Sequence, residues 1–340
     1  MEYTVAFIEG DGIGPEQAAA TKTVLRKLEE SQAVSLNLIP VEAGDRAFKD
    51  HGEALSNESF QVIRESDCCL KGPVGKFAYD VVIRLRRDLD LYANIRPAKT
   101  LPGVPCVGSP ETDLVIVREN TEDLYCGLES ADEDKATATR LITRKACRRI
   151  ATYAFDLARS RKKRLVTAVH KSNVLKKTDG LFLLACKDVA EAYPDVKFSD
   201  MLVDAAAMNL IRNPGNFDVI VTTNMFGDIL SDEAAQVVGG LGLVPSANIG
   251  DNFALFEPVH GSAPDIAGRN CANPISLILS AAMMLEWLGR KRNDPKASEG
   301  SRIIERAVRQ SLSSGESTPD LGGDLSTVEM GNTIAQRIST

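Results

Sequence analysis

Runs that read as strands alternate with runs that read as helices along most of this chain, and nothing else in it limits the possible folds so tightly. Each such helix has an apolar face to bury, and a neighbouring sheet is the surface that buries it, so the pattern predicts an α/β protein. Strands are expected at 3–8, 34–41, 113–118, 165–169, 196–203 and 217–222, and helices at 16–30, 56–65, 81–87, 137–160 and 179–192. Two interruptions stand out, the proline- and glycine-rich stretch 96–110 and the glycine-dense stretch 239–242. They predict a large discontinuous domain, 1–98 with 239–340, and a small domain, 99–238.

Composition narrows the partners. Forty basic against 47 acidic residues give a net charge of −7, the wrong sign for binding nucleic acid. The basic run Arg159-Ser160-Arg161-Lys162-Lys163-Arg164 falls between a helix and a strand and reads as a helix C-terminus, where cations complement the dipole. The chain opens on a short apolar run that leads straight into glycines, without the basic start of a signal peptide. The most apolar stretch, 275–285, falls well short of the ~20 residues needed to cross a bilayer, so no membrane partner is expected. Seven cysteines, an odd number without a CxxC pair, fit free thiols in a reducing cytoplasm. With only three histidines, any metal site has to draw on carboxylate oxygens, which suit Mg²⁺ or Mn²⁺.

Gly10-Asp11-Gly12-Ile13-Gly14-Pro15 follows a strand and opens a helix, but its spacing is GxGxG rather than the GxGxxG of a Rossmann dinucleotide site. A tight strand-to-helix turn with Pro15 in the first helical turn explains it without a ligand. In 224–232, Asp228 and Asp232 lie four apart and share one face of a helix. Two like charges so placed call for a positive charge between them, and a divalent cation supplies one, with Asp204 at the end of the 196–203 strand as a third carboxylate. Arg86, Arg96 and Arg118, each placed at the end or turn of an element, and Lys171 after another strand point to an anionic pocket, since guanidinium forks grip carboxylates bidentately.

In six stretches, 10–14, 89–97, 118–125, 170–174, 227–232 and 257–268, the chain resembles the isocitrate/3-isopropylmalate dehydrogenase family of metal-dependent β-decarboxylating dehydrogenases. The resemblance covers nearly the whole length and implies that family's two-domain fold, with a large mixed sheet flanked by helices. It makes Arg86, Arg96 and Arg118 the clamp on the substrate carboxylates and places Tyr125 and Lys171 at the proton transfers. Asp204, Asp228 and Asp232 match the metal ligands, so Asp204 also counts among the catalytic residues. In the family the matching lysine and first aspartate come from the partner subunit, which implies a homodimer. The adenosine site falls on His260, Gly261, Ser262, Ala263, Pro264, Asp265 and Ile266, with Asn273 and Asn173 also assigned to the cofactor. A carboxylate at Asp265 suits ribose hydroxyls and repels a 2′-phosphate, so NAD is the expected cofactor.

The expected reaction is oxidative decarboxylation of 3-isopropylmalate. Val82 and Ile83 precede Arg86 by four and three residues, so helical spacing puts all three on one face, where two apolar side chains suit an isopropyl group. Isocitrate would bring a third carboxylate there, costly to desolvate without a partner. Isocitrate, homoisocitrate, tartrate and D-malate oxidation are the rival activities. A non-catalytic regulatory subunit is the rival from another class, and the presence of Tyr125, Lys171, Asp204, Asp228 and Asp232 argues against it.

Overall fold

The computed structural model describes residues 1–31, 34–77, 79–107 and 111–338, so residues 108–110 of the expected boundary stretch and the last two residues lie outside the described residues. The chain divides into two compact units. The first comprises Met1–Leu89, Leu101–Pro105 and Gly239–Thr340, and the second Asp90–Thr100 and Cys106–Val238.

The first unit begins with strand β1 (Glu2–Ile8), helix α1 (Gly14–Glu30), strand β2 (Ser35–Pro40), helices α2 (Asp45–His51) and α3 (Asn57–Glu65), and strand β3 (Cys68–Lys71). A π-helical turn, Tyr79–Ile83, leads into the short helix α4 (Arg84–Asp88). In the second unit follow β4 (Ala93–Lys99), β5 (Asp113–Glu119), a 3₁₀ turn at Leu124–Cys126, β6 (Glu129–Ala131), β7 (Ala136–Ala138), α5 (Arg144–Arg159) and β8 (Leu165–His170). It continues with α6 (Thr178–Ala190), β9 (Lys197–Leu202), α7 (Val203–Arg212), β10 (Val219–Thr222) and α8 (Asn224–Val237). The chain then returns to the first unit with β11 (Pro245–Ile249), β12 (Ala254–Pro258), α9 (Ile275–Arg292), α10 (Pro295–Ser313) and α11 (Thr327–Ile338).

Each unit holds five strands of mixed sheet, so the α/β expectation stands. In the first the order is β2-β1-β3-β12-β11, parallel except for the β11–β12 pair. In the second it is β4-β5-β10-β8-β9, with only the β4–β5 pair antiparallel. The runs Val5–Ile8 in β1 and Val219–Thr222 in β10 are buried throughout, as strands covered on both faces must be.

Four local expectations need correction. The helix expected from 137 starts at Arg144, because Thr143 is the residue with a capping side chain, accepting from the Ala146 N–H at 3.2 Å. Residues 136–138 instead pair antiparallel with 129–131 across a turn in which Asp132 accepts from the N–H groups of Asp134 and Lys135. Asp204 is not at a strand end but in the first turn of α7, where a carboxylate complements the helix dipole. Arg96 lies in the middle of β4 rather than at an end or turn. The segment 81–87 is a π turn running into an α turn, so the simple four-and-three spacing does not carry across Ile83. The 159–164 run does close a helix, and its arginines are paired: Arg159 and Arg164 with Asp195, and Arg161 with Asp113 and Asp218.

Candidate active site

In the second unit, α8 turns Asp228 and Asp232 toward two arginines from β4 and β5. Arg118, near the end of β5 and 1% exposed, donates from Nε to Asn224 Oδ1 at 2.9 Å and from Nη1 to Asp228 Oδ1. Gly227 makes this possible, since a Cβ there would lie 2.6 Å from both Cβ and Cγ of Arg118. Arg96, also buried, donates to Asn94 Oδ1 (2.7 Å), Ser231 Oγ (2.7 Å) and Asp232 Oδ1 (3.2 Å). Its Nη2 lies 3.4 Å from Asp228 Oδ1. Tyr125, in the 3₁₀ turn, donates its hydroxyl to Asp228 Oδ2, and the Arg118 guanidinium sits 5.1 Å from its ring centroid. Burial pushes the Asp232 carboxyl above its ordinary range, with Arg96 opposing and the neighbouring Asp228 reinforcing.

The other two predicted proton-transfer and metal residues meet elsewhere in this unit. Lys171 Nζ donates to Asp204 Oδ1, a bond that holds the Asp204 carboxyl below its usual range. Its side-chain partner within the chain is therefore a carboxylate rather than one of the arginine-bound groups. Its turn is held by Asp179, which accepts the Lys171 N–H at 2.6 Å, and by His170 Nδ1, which accepts from Ser172 N–H at 3.2 Å. Asn173 is exposed in the same turn. Among the described residues, no three acidic, histidine or cysteine side chains of one chain gather into a metal cage. Asp228 and Asp232 do present hard oxygen donors one helical turn apart, the donor type that Mg²⁺ and Mn²⁺ take.

In the first unit Arg86 is buried in a polar cluster that sequence reasoning missed. Its Nε donates to Asn248 Oδ1 at 3.0 Å and its Nη2 to Glu257 Oε1 at 3.2 Å, while Lys71 Nζ lies 2.8 Å from Glu257 Oε2. Burial alone would raise the Glu257 carboxyl, but Lys71 and Arg86, with hydrogen bonds from Lys71 and Asn248, bring it down to about 2. Of the two apolar candidates, Ile83 is buried and Val82 half-buried. Arg84 beside them turns away, donating to Leu55 O at 2.8 Å and Asn57 Oδ1 at 2.6 Å and lying 5.0 Å from the Phe60 ring centroid.

The glycines of 10–14 serve close packing. A Cβ on Gly12, whose φ is +58°, would fall 1.9 Å from Ser262 O, and Ile13 N–H donates to that same oxygen at 2.9 Å. Thus the turn after β1 fixes the loop expected to hold adenosine. Within that loop His260 contacts Gly261 O through Nδ1 (2.9 Å) and the Gln17 amide through Nε2 (3.1 Å), and burial lowers its pKa. Gln17 also donates to Asn273 O at 2.7 Å, and the Asn273 side chain bonds Ile275 N–H and Asp320. Gly261, Pro264 and Asp265 are exposed; Ser262, Ala263 and Ile266 are half-buried. The Gln17 contact had no sequence signal beyond a polar residue on the buried face of α1.

An α/β protein that pairs arginines with helix-borne aspartates and a tyrosine hydroxyl has the equipment of an enzyme acting on small anionic acids. The chain belongs to the isocitrate/isopropylmalate dehydrogenase family, whose sequence profile matches residues 4–334. It is thereby an enzyme, a decarboxylating dehydrogenase. Relatives include a 3-isopropylmalate dehydrogenase of Methanothermobacter thermautotrophicus, 51% identical with 98% of each chain covered. An isocitrate/homoisocitrate dehydrogenase of Thermus thermophilus is 46% identical over the full length of both. The crystal structure of isocitrate dehydrogenase from Methylococcus capsulatus matches with a TM-score of 0.92 at 43% identity, covering 99% of this chain and 100% of that one.

Proposed function

We propose that this enzyme oxidises and decarboxylates 3-isopropylmalate to 2-oxo-4-methylpentanoate, the leucine-biosynthetic reaction, with NAD and Mg²⁺ or Mn²⁺, in the cytoplasm. The observation that carries the substrate choice is the commitment of Arg84 to Leu55, Asn57 and Phe60. With Arg84 so engaged, half-buried Val82 is the apolar side chain we assign to an isopropyl group, backed by the buried Ile83, and Arg84 is not spent on the third carboxylate that isocitrate or homoisocitrate would bring. The identity near 50% to several 3-isopropylmalate dehydrogenases supports the same choice.

In this reading Arg86, Arg96 and Arg118 grip the substrate carboxylates. Asp228 and Asp232 hold the metal together with Asp204 of the partner subunit, and the 260–266 loop with Asn273 and Asn173 holds the dinucleotide. When bound, the metal ion supplies Lewis acidity toward the C2 oxygen and NAD accepts the C2 hydride. Lys171 of the partner subunit, which pairs with that same Asp204, takes the C2 hydroxyl proton. The bond from C3 to its carboxylate then breaks to release CO₂, and the Tyr125 hydroxyl protonates C3 of the resulting enolate. The homodimer is supported by apolar side chains left exposed on α7 (Met208, Ile211) and α8 (Met225, Ile229), the helices that also bear Asp204 and Asp228. NADH formation measured with Mn²⁺ and each acid in turn tests the substrate. A kcat/KM highest for 3-isopropylmalate is expected, and a higher value for isocitrate or homoisocitrate refutes the assignment.

A further inference from the structure

We propose that Arg140 is a positioning residue that locks the Tyr125 turn, the Lys171 turn and the N-terminus of α8 into one arrangement. Arg140 is three-quarters or more buried on a stretch, 139–142, that carries no residue of the proposed site. Its guanidinium makes a fork with Asp123, Nε to Oδ1 at 2.6 Å and Nη2 to Oδ2 at 3.3 Å. Nη1 donates to Asp179 Oδ1, and Nη2 donates to Thr223 Oγ1 at 2.8 Å. Its plane lies 4.8 Å from the Phe226 ring centroid.

Each of these partners leads to a different proposed residue: Tyr125 and Asp228, which serve this chain's own site, and Lys171, which serves the site it shares with the partner subunit. Asp123 is fully buried, two residues before Tyr125, with its backbone at φ +72°, a region costly for a residue with a side chain. That conformation persists because Asp123 Oδ1 accepts from Leu124 N–H at 2.9 Å, Oδ2 from Met225 N–H at 3.1 Å, and its own N–H reaches Leu141 O at 2.9 Å. Asp179, also fully buried, spends its other oxygen on the Lys171 N–H. Thr223 and Phe226 flank the start of α8, the helix of Asp228. Two buried carboxylates are thus balanced by one guanidinium and three backbone N–H groups, an arrangement that leaves little freedom to any of the three segments.

This inference rests on the roles proposed for Tyr125 and Lys171, so its test includes both. In Arg140→Lys the charge stays but the planar fork is lost. The expected result is a kcat lower by roughly 10- to 100-fold with KM for 3-isopropylmalate within about twofold, the signature of misplaced reacting groups. A merely structural arginine would reduce the folded fraction and leave kcat per folded site as it was; that outcome, with circular dichroism and melting followed in parallel, overturns the proposal. In the Tyr125→Phe background Arg140→Lys is expected to cost less than in the wild type, whereas strictly multiplicative losses would contradict the coupling. If Arg140→Lys does not fold, Thr223→Val removes only one arm of the fork, and an unchanged kcat there refutes the proposal equally. Should Tyr125→Phe and Lys171→Met both retain wild-type kcat, the functional reading itself fails, an outcome distinct from failure of Arg140 alone.

Discussion

Glu257 shows how a single residue in a recognisable motif can do work that its motif does not announce. It belongs to 257–268, but its structural task is to tie Lys71 and Asn248 to Arg86 inside the first unit. Its carboxyl is depressed from 4.5 to about 2, so its stabilising contribution is complete above the ordinary value and is lost as pH falls through the window between the two. Urea unfolding followed from pH 5 to about 2 is therefore expected to show a steeper loss of stability in the wild type than in Glu257→Gln, by about one proton. Parallel slopes would contradict the depressed carboxyl. Residues with charge and motif, such as Asp228 and Arg118, were legible in the sequence because their chemistry is written in side-chain type and spacing. Lys71 and Arg140 were not, because nothing local marks a cation whose partners lie more than a hundred residues away or across a turn of unusual φ.

Elements were legible where periodicity was clean and capped, and obscure where the backbone departs from ideal geometry. Helix α3 starts where Ser56 accepts from Ser59 N–H, the kind of cap a sequence displays. The π turn at 79–83 and the small pair β6–β7 have no such signature, and residues 137–138 of β7 read as the start of a helix because so short a strand carries little pattern of its own. The packing of α8 on β5 hinges on Gly227. Gly227→Ala is expected to push α8 off Arg118, costing about 1–3 kcal/mol of stability and lowering activity more than stability alone explains, since Asp228 moves with the helix. Calorimetry with a parallel kcat measurement checks this. Unchanged activity in a destabilised variant would mean that the Arg118–Asp228 pair tolerates the shift.

For the whole molecule, the division of labour within one chain is the central fact. Lys171 and Asp204 pair with each other, while Asp228 and Asp232 sit among Arg96, Arg118 and Tyr125. Neither set alone makes a metal centre, and exposed apolar side chains mark the helices that bear both. Two copies exchanging these sets would complete two equivalent sites, as a closed twofold arrangement requires. The most direct measurement co-refolds Lys171→Ala with Asp228→Asn, each inactive alone, in equal amounts. Shared sites predict recovery of about one quarter of wild-type activity, since about half the dimers are mixed and each has one intact site. A mixture as inactive as its components, with mixed dimers demonstrated by mass, would contradict the account.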